Sequence, residues 1–128
     1  SIQASIPFYA GKIEGVQKTW HENGRIQAEE TYRHSLKNGP SVFWRPDGGL
    51  DMRLNYLDDK LDGTQIWFHP DGGKAREINL SRGVPHGSWR EWDETGKSLI
   101  DDEYDNGELK RKNQPPPASP PAAASPEA

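Results

Sequence analysis

The chain has 128 residues, room for one domain, and its 16 basic and 20 acidic residues leave a formal net charge of −4. Leu, Ile, Val and Phe supply only 21 residues, below the ~20 % of composition under which a highly charged chain stays disordered. The small net charge removes the second half of that condition, and five Trp and four Tyr are available to bury area in place of aliphatics. The near-balanced charge, with no basic block, excludes nucleic acid as a partner, because phosphate contacts drive that affinity. No apolar run approaches the ~18–20 residues of a membrane-spanning helix. The absence of Cys removes disulfides, zinc–thiolate centres, iron–sulfur clusters and cysteine nucleophiles. Ser rather than Met at position 1 and the absence of Cys favour the periplasm or cell envelope over the cytoplasm, although no signal peptide is visible.

Taken from the N-terminus, residues 1–10 read as the last half of a repeat, with Ile2 and Phe8 in the columns of Ile26 and Tyr32. A repeat of 24 residues then runs four times, about 11–34, 35–58, 59–82 and 83–107, with a strand remnant to 112. Its markers are Gly15, Gly39, Gly63 and Gly87; Gly24, Gly48, Gly72 and Gly96; and Gly11, Gly83 and Gly107. Aromatic columns share the period: Trp20, Trp44, Phe68, Trp92, and Tyr32, Tyr56, Leu80, Tyr104. Pro46-Asp47-Gly48 and Pro70-Asp71-Gly72 are three-residue hairpin loops, since Pro presets φ, Asp bonds its own backbone and Gly accepts the left-handed region. Glu22-Asn23-Gly24 and Glu94-Thr95-Gly96 stand in the same place. No stretch free of glycine carries a helical period. The pattern predicts an all-β domain: an antiparallel meander of tandem β-hairpin repeats in one long, twisted, largely single-layered sheet of eight or nine strands.

The loop also predicts a register. Arg45 would face Gly49, Trp44 would face Leu50 and Val42 would face Met52, so that the even positions, including both aromatic columns, share one apolar face. Residues 113–128 (NQPPPASPPAAASPEA) differ in kind, with six of the eleven prolines. They read as a disordered tail or linker, the alternative being a Pro-rich ligand for a partner domain.

The pattern G-x4-[W/F]-x2-[N/D]-G-x7-Y, then x-[N/D]-G, resembles the MORN-variant repeat of YwqK-type proteins. Gly87-Ser88-Trp89-Arg90-Glu91-Trp92, Thr95-Gly96 and Tyr104-Asp105-Asn106-Gly107 carry the resemblance most fully, and it spans roughly residues 11–110. That family's aromatic two residues after the first Gly is present only as Trp89; Gln17, Ser41 and Gln65 depart from it. The resemblance implies a bacterial, non-enzymatic protein of the immunity or antitoxin kind that acts through protein contacts; related repeats also serve on membranes and scaffolds. It brings no catalytic residues, cofactor or metal.

Candidate partner-binding residues lie on the odd-numbered, polar face. Phe43, Trp67 and Trp89 are aromatics on it, reading either as a binding hot spot or as packing beneath a loop, the N-terminal segment or the tail. Arg45 and His69 border them. The fourth repeat adds Asp93, Glu94, Asp101, Asp102 and Glu103, either steering a cognate toxin with a basic surface or keeping an edge strand charged. His21 and His69 share a column about 19 Å apart, too far to bind one zinc ion. The expected function is protein binding by a monomer or edge-paired homo-oligomer. The alternative is an envelope scaffold that self-associates or contacts a membrane surface.

Overall fold

Two kinds of tight turn alternate along the chain. In the first, Arg45 N–H donates to Gly49 O at 2.7 Å and Gly48 N–H donates to Arg45 O at 2.9 Å. Asp47 Oδ1 accepts from Gly49 N–H at 2.8 Å, and Gly48 takes φ 95°, where a Cβ would be strained. The second kind closes two-residue loops at Ala10-Gly11, His34-Ser35, Asp58-Asp59, Arg82-Gly83 and Asn106-Gly107, with positive φ throughout. That is the type I′ pattern, whose twist suits the strands it joins, and it explains the third glycine column.

The computed structural model describes residues 3–112. The expected disordered tail, 113–128, lies outside the described residues. The turns separate strands β1 (Gln3–Ser5), β2 (Phe8–Tyr9), β3 (Lys12–Ile13), β4 (Gly15–Trp20), β5 (Ile26–Arg33), β6 (Leu36–Trp44), β7 (Leu50–Leu57), β8 (Lys60–Leu61), β9 (Gly63–Phe68), β10 (Lys74–Ser81), β11 (Val84–Trp92), β12 (Ser98–Asp105) and β13 (Glu108–Lys112). Eleven of these make one antiparallel sheet in the order β1-β4-β5-β6-β7-β9-β10-β11-β12-β13, with β8 beside β7; β2 and β3 pair separately. The domain is an all-β meander of hairpins, with no helix among the described residues. The strand number exceeds the expected eight or nine because short pieces such as β3 and β8 are cut off where the ladder is interrupted before Gly15 and Gly63. Ala4 faces Thr19 as Ala28 faces Phe43, one period later.

The expected register fails one step beyond each loop. Trp44 does face Leu50, but Phe43 faces Met52 and Val42 faces Arg53. Asp51 is the extra residue of a β-bulge. Gln27, Ala75 and Leu99 hold the same place between Ile26 and Ala28, Lys74 and Arg76, and Ser98 and Ile100. One unpaired residue reverses the side-chain alternation beyond it. The two aromatic columns therefore lie on opposite faces, a correction to the single apolar face expected. Trp20, Trp44, Phe68 and Trp92 form a stripe on one face, with Val42 and Ile66. Phe43, Trp67 and Trp89 share the other with Tyr32, Tyr56 and Tyr104.

The tyrosine face holds the core. The buried side chains are Ala28, Leu54 and Ile78 with Ser41, Gln65 and Asp102, all on this side. No second layer covers it among the described residues. Burial therefore comes from neighbours in the same sheet, which the repeated bulges bend.

The repeats are tied together along both rims. At the type I′ turns, Ser35, Asp59, Gly83 and Gly107 N–H groups donate to the carbonyls of Ile13, Lys37, Leu61 and Pro85 in the preceding repeat, at 2.7–3.0 Å. The residue before each Gly of the Gly15 column supplies a second acceptor. Asn38 Oδ1 takes Asp58 N–H at 3.0 Å, Asp62 Oδ1 takes Arg82 N–H at 2.8 Å, and His86 Nδ1 takes Asn106 N–H at 3.1 Å. Glu14 does the same for His34.

Gly72 is at φ 97° with open space where a Cβ would stand, whereas at Gly87, φ 109°, a Cβ would meet Asn79 Cβ at 3.2 Å. Gly72→Ala should cost about 1–2 kcal/mol from backbone strain alone, and Gly87→Ala should cost more. Urea unfolding of the two variants checks the order; equal costs would contradict the packing described at Gly87.

Candidate functional site

A continuous row of side chains crosses the tyrosine face. Ala28 faces Phe43, Phe43 faces Met52, Met52 faces Trp67, Trp67 faces Arg76 and Arg76 faces Glu91. Phe43 and Trp67 thus flank Met52 about 10 Å apart, two strand spacings. The Arg76 guanidinium stacks 5.2 Å from the Trp67 ring centroid and pairs with Glu91 at 3.4 Å. Glu91 also accepts from Trp89 Nε1 at 2.9 Å, and Trp89 lies against Tyr104 with ring centroids 5.7 Å apart. Phe43, Trp67 and Trp89 are therefore brought together, on the face that holds the core rather than on a polar one. All three are half-buried. Trp67, Arg76 and Glu91, with His69, Ala75 and Trp92, line an open depression of about 310 Å³.

The neighbouring row forms the floor. Ser41 faces Glu30 and Leu54; Ile78 faces Gln65 and Trp89. Gln65 occupies the position where the family pattern has an aromatic, and it stitches the ladder where Gly63 interrupts it. Its Oε1 accepts from Asn55 N–H at 2.7 Å, and its Nε2 donates to Asn55 O and Gly63 O, both at 3.2 Å. Ser41, equally buried, has no hydrogen-bond partner for Oγ among the described residues. At the rim of this face Lys37 lies 5.0 Å from the Tyr56 ring centroid and 3.2 Å from Glu30. Burial lowers the Lys37 pKa, but the charge of Glu30, the hydrogen bond to it and the nearby Tyr56 and Tyr32 together leave the ammonium raised above its usual value.

Arg45 and His69 stand at the turns, His69 at the margin of that depression. Each opens a first-type turn and reaches the next repeat. His21 Nε2 meets Trp44 O at 2.8 Å, Arg45 Nη2 donates to Phe68 O at 2.6 Å, and His69 Nε2 meets Trp92 O at 2.9 Å. Arg45 Nη1 also holds Leu50 O at 2.7 Å. This column clamps one repeat to the next, a role the sequence pattern did not reveal. Asp93, its last member, folds onto its own turn, taking Thr95 Oγ1 at 2.6 Å and Lys97 N–H at 3.0 Å.

The acidic residues of the fourth repeat do not form one surface. Asp101 and Glu103 are on the stripe face, paired with Arg90 and Arg111, each at 3.3 Å. Asp102 is buried on the tyrosine face. Asp93 and Glu94 belong to the turn. Alternation along β12 separates Asp102 from its neighbours.

Residues 13–34, 61–80 and 85–106 match the MORN repeat variant family. The chain belongs to that family. The unmatched stretch between the first two segments is the repeat built of β6 and β7, which has the same turns, bulge and clamp as the others. MORN repeats are protein- and membrane-binding modules as a class. No curated protein matches the chain.

Gln65→Leu keeps the volume and strands the Asn55 backbone groups, so it should cost about 2–3 kcal/mol. Ser41→Ala removes a buried hydroxyl that has no partner and should leave stability unchanged or raise it by about 1 kcal/mol. Chemical denaturation of both variants reads the contrast.

The hydrogen bond from Thr95, with that from Lys97 N–H, holds the Asp93 carboxyl below its usual pKa. The folded pKa is depressed, so the stabilisation is present above the unfolded value and is lost as pH falls through the folded one. Asp93→Asn should therefore be less stable than the parent at neutral pH, and the gap should close in acid below the ordinary carboxylate range. A gap independent of pH would show that the charge contributes nothing.

Proposed function

We propose that this MORN-repeat chain is a binding module without chemistry of its own, and that it holds a protein partner on the tyrosine face around Phe43, Trp67 and Trp89. The observation that carries the reading is the row Phe43–Met52–Trp67–Arg76, flanked by Trp89 and Tyr104. Trp, Tyr and Arg dominate interface energetics because they bury large area for few rotatable bonds. Here they project from strands, so little ordering remains to be done on binding. Lys110, Arg111 and Lys112 are exposed along β13 and oppose pairing of that edge with another sheet, which favours the face over the edge.

The specific role we propose is that of a YwqK-like immunity or antitoxin protein, with a toxin as the partner. The partition of Asp101, Asp102 and Glu103 between two faces leaves attraction of a basic toxin surface out of the proposal; aromatic burial with Arg76 at its centre carries it.

Co-expression with the toxin-like product encoded beside its gene should restore growth. Trp67→Ala and Tyr104→Ala should each weaken the complex by at least about 30-fold, the effect of losing ~2 kcal/mol at a hot spot, while Arg53→Ala on the other face should not. Circular dichroism of each variant establishes that it is folded. Full rescue by both folded variants would exclude this face, and absence of any toxin-like neighbour that the chain neutralises would exclude the immunity role.

A further inference from the structure

The stripe face has no role in that reading, and its rows of paired residues run nearly the width of the sheet. Lys18 faces Glu29, Glu29 faces Val42, Val42 faces Arg53 and Arg53 faces Ile66. Ile66 faces Glu77, Glu77 faces Arg90 and Arg90 faces Asp101. One row thus crosses β4 to β7 and β9 to β12, charged at both ends, with Val42 and Ile66 near its middle. The row nearer the loops pairs Trp20 with Ile26, Trp44 with Leu50, Phe68 with Lys74 and Trp92 with Ser98. Its four rings are half-buried within their own chain, as are Val42 and Ile66.

Both rows complement themselves when reversed. A second copy can be turned about a two-fold axis parallel to the strands, between β7 and β9, so that stripe face meets stripe face. Lys18 then meets Asp101 of the second copy, and Glu29 meets its Arg90. Arg53 meets Ile66, and Val42 meets Glu77, which keeps its own Lys74 at 2.7 Å. No like charges stand directly opposite. In the other row Ile26 meets Trp92, Leu50 meets Phe68, Trp44 meets Lys74 and Trp20 meets Ser98. Each ring faces an aliphatic, ammonium or small side chain, and no ring faces a ring. The axis makes every one of these contacts twice.

The dimensions suit a stable pair. Aligned sheets pack about 10 Å apart with strand directions within about 30°. The strands from β4 to β12 that carry the rows span about 38 Å, and Val16 to Trp20 spans about 17 Å along the strand. That is about 650 Å² on each copy and about 1,300 Å² for the pair, against about 1,200 Å² where specific interfaces begin. Apolar contacts near the axis and charged ones at the ends reproduce the core and rim of such interfaces.

We propose that the chain forms a two-fold dimer by packing its stripe face on that of a second copy, in the register just given. Both tyrosine faces then point outward and stay free, so the proposal stands independently of the immunity reading.

Within one chain Glu29 and Arg90 stand five strand spacings apart, about 24 Å, and cannot touch. Sedimentation of the full-length parent should give twice the chain mass of 14.4 kDa. Glu29→Arg and Arg90→Glu each set like charges together at both symmetry-related places, and each should raise the dimer dissociation constant at least about 100-fold. Mixing the two variants should restore the dimer, because opposite charges then meet at both places; the double variant should restore it too. Lys18→Glu and Asp101→Lys, at the ends of the row, should show the same loss alone and the same recovery when mixed. Circular dichroism establishes that each variant is folded. A monomeric parent, or loss without recovery on mixing, would overturn the stripe-face dimer. So would a dimer indifferent to all four changes, which would place the contact at an edge or on the tyrosine face.

Discussion

One unpaired residue per repeat organises this sheet. Gln27, Asp51, Ala75 and Leu99 each stand as the extra member of a bulge. Without them, a hairpin that began with Trp44 opposite Leu50 would continue with Val42 opposite Met52, and Trp44, Met52, Leu54 and Tyr56 would crowd one side. With them, each hairpin sends its turn-proximal aromatic to one face and its Tyr to the other. Both faces become partly apolar, neither becomes a greasy slab, and the backbone bends at the same place in every repeat. The bend is what lets a single layer shelter Gln65 and Ser41 without a covering helix.

The bulge interrupts hydrogen bonding, as does the glycine site at the opposite end of each hairpin, and the backbone groups freed there need partners. At the turn-proximal rim Arg45 takes the carbonyls of Leu50 and Phe68, and His21 and His69 act on Trp44 and Trp92. At the far rim Asn38, Asp62 and His86 take turn N–H groups. These contacts reach only the adjacent repeat. Stability in such an array is a sum of weak units and neighbour couplings. It explains how Glu14, Asn38, Asp62 and His86 serve one geometry with different side chains: the site asks for an acceptor of the right reach and nothing more.

The glycine and aromatic periods made the hairpin architecture legible, because Pro-Asp-Gly loops and 24-residue spacing have one mechanical reading. The faces were not legible. A bulge residue has no compositional mark; Gln, Asp, Ala and Leu fill the four sites, since the position constrains backbone and leaves the side chain free. That one omission moved Phe43, Trp67 and Trp89 from a polar face to the core face. The clamp column was visible as His21, Arg45, His69 and Asp93 but read as surface, because a cross-repeat bond to a carbonyl depends on the stacking of hairpins and has no local signature. The acidic run from Asp101 to Glu103 read as a patch because adjacency in sequence looks like adjacency in space, which strand alternation denies.

Scarcity of aliphatic side chains then has a mechanical sense. A Leu or Ile on a single-layered sheet is useful only where neighbours cover it, as at Leu54 and Ile78. Elsewhere a side chain must be half-buried and still well ordered. Trp and Tyr meet that requirement, since one edge of the ring packs on the adjacent strand while the remainder meets solvent, and few torsions need fixing. Trp89 is locked by Glu91 and Tyr104, and Trp67 by Arg76. The same ordering that stabilises the sheet lowers the entropy lost when those rings are covered. In this architecture the residues that replace a conventional core are therefore ordered aromatics, and a fold poor in aliphatics carries them on both faces of one layer.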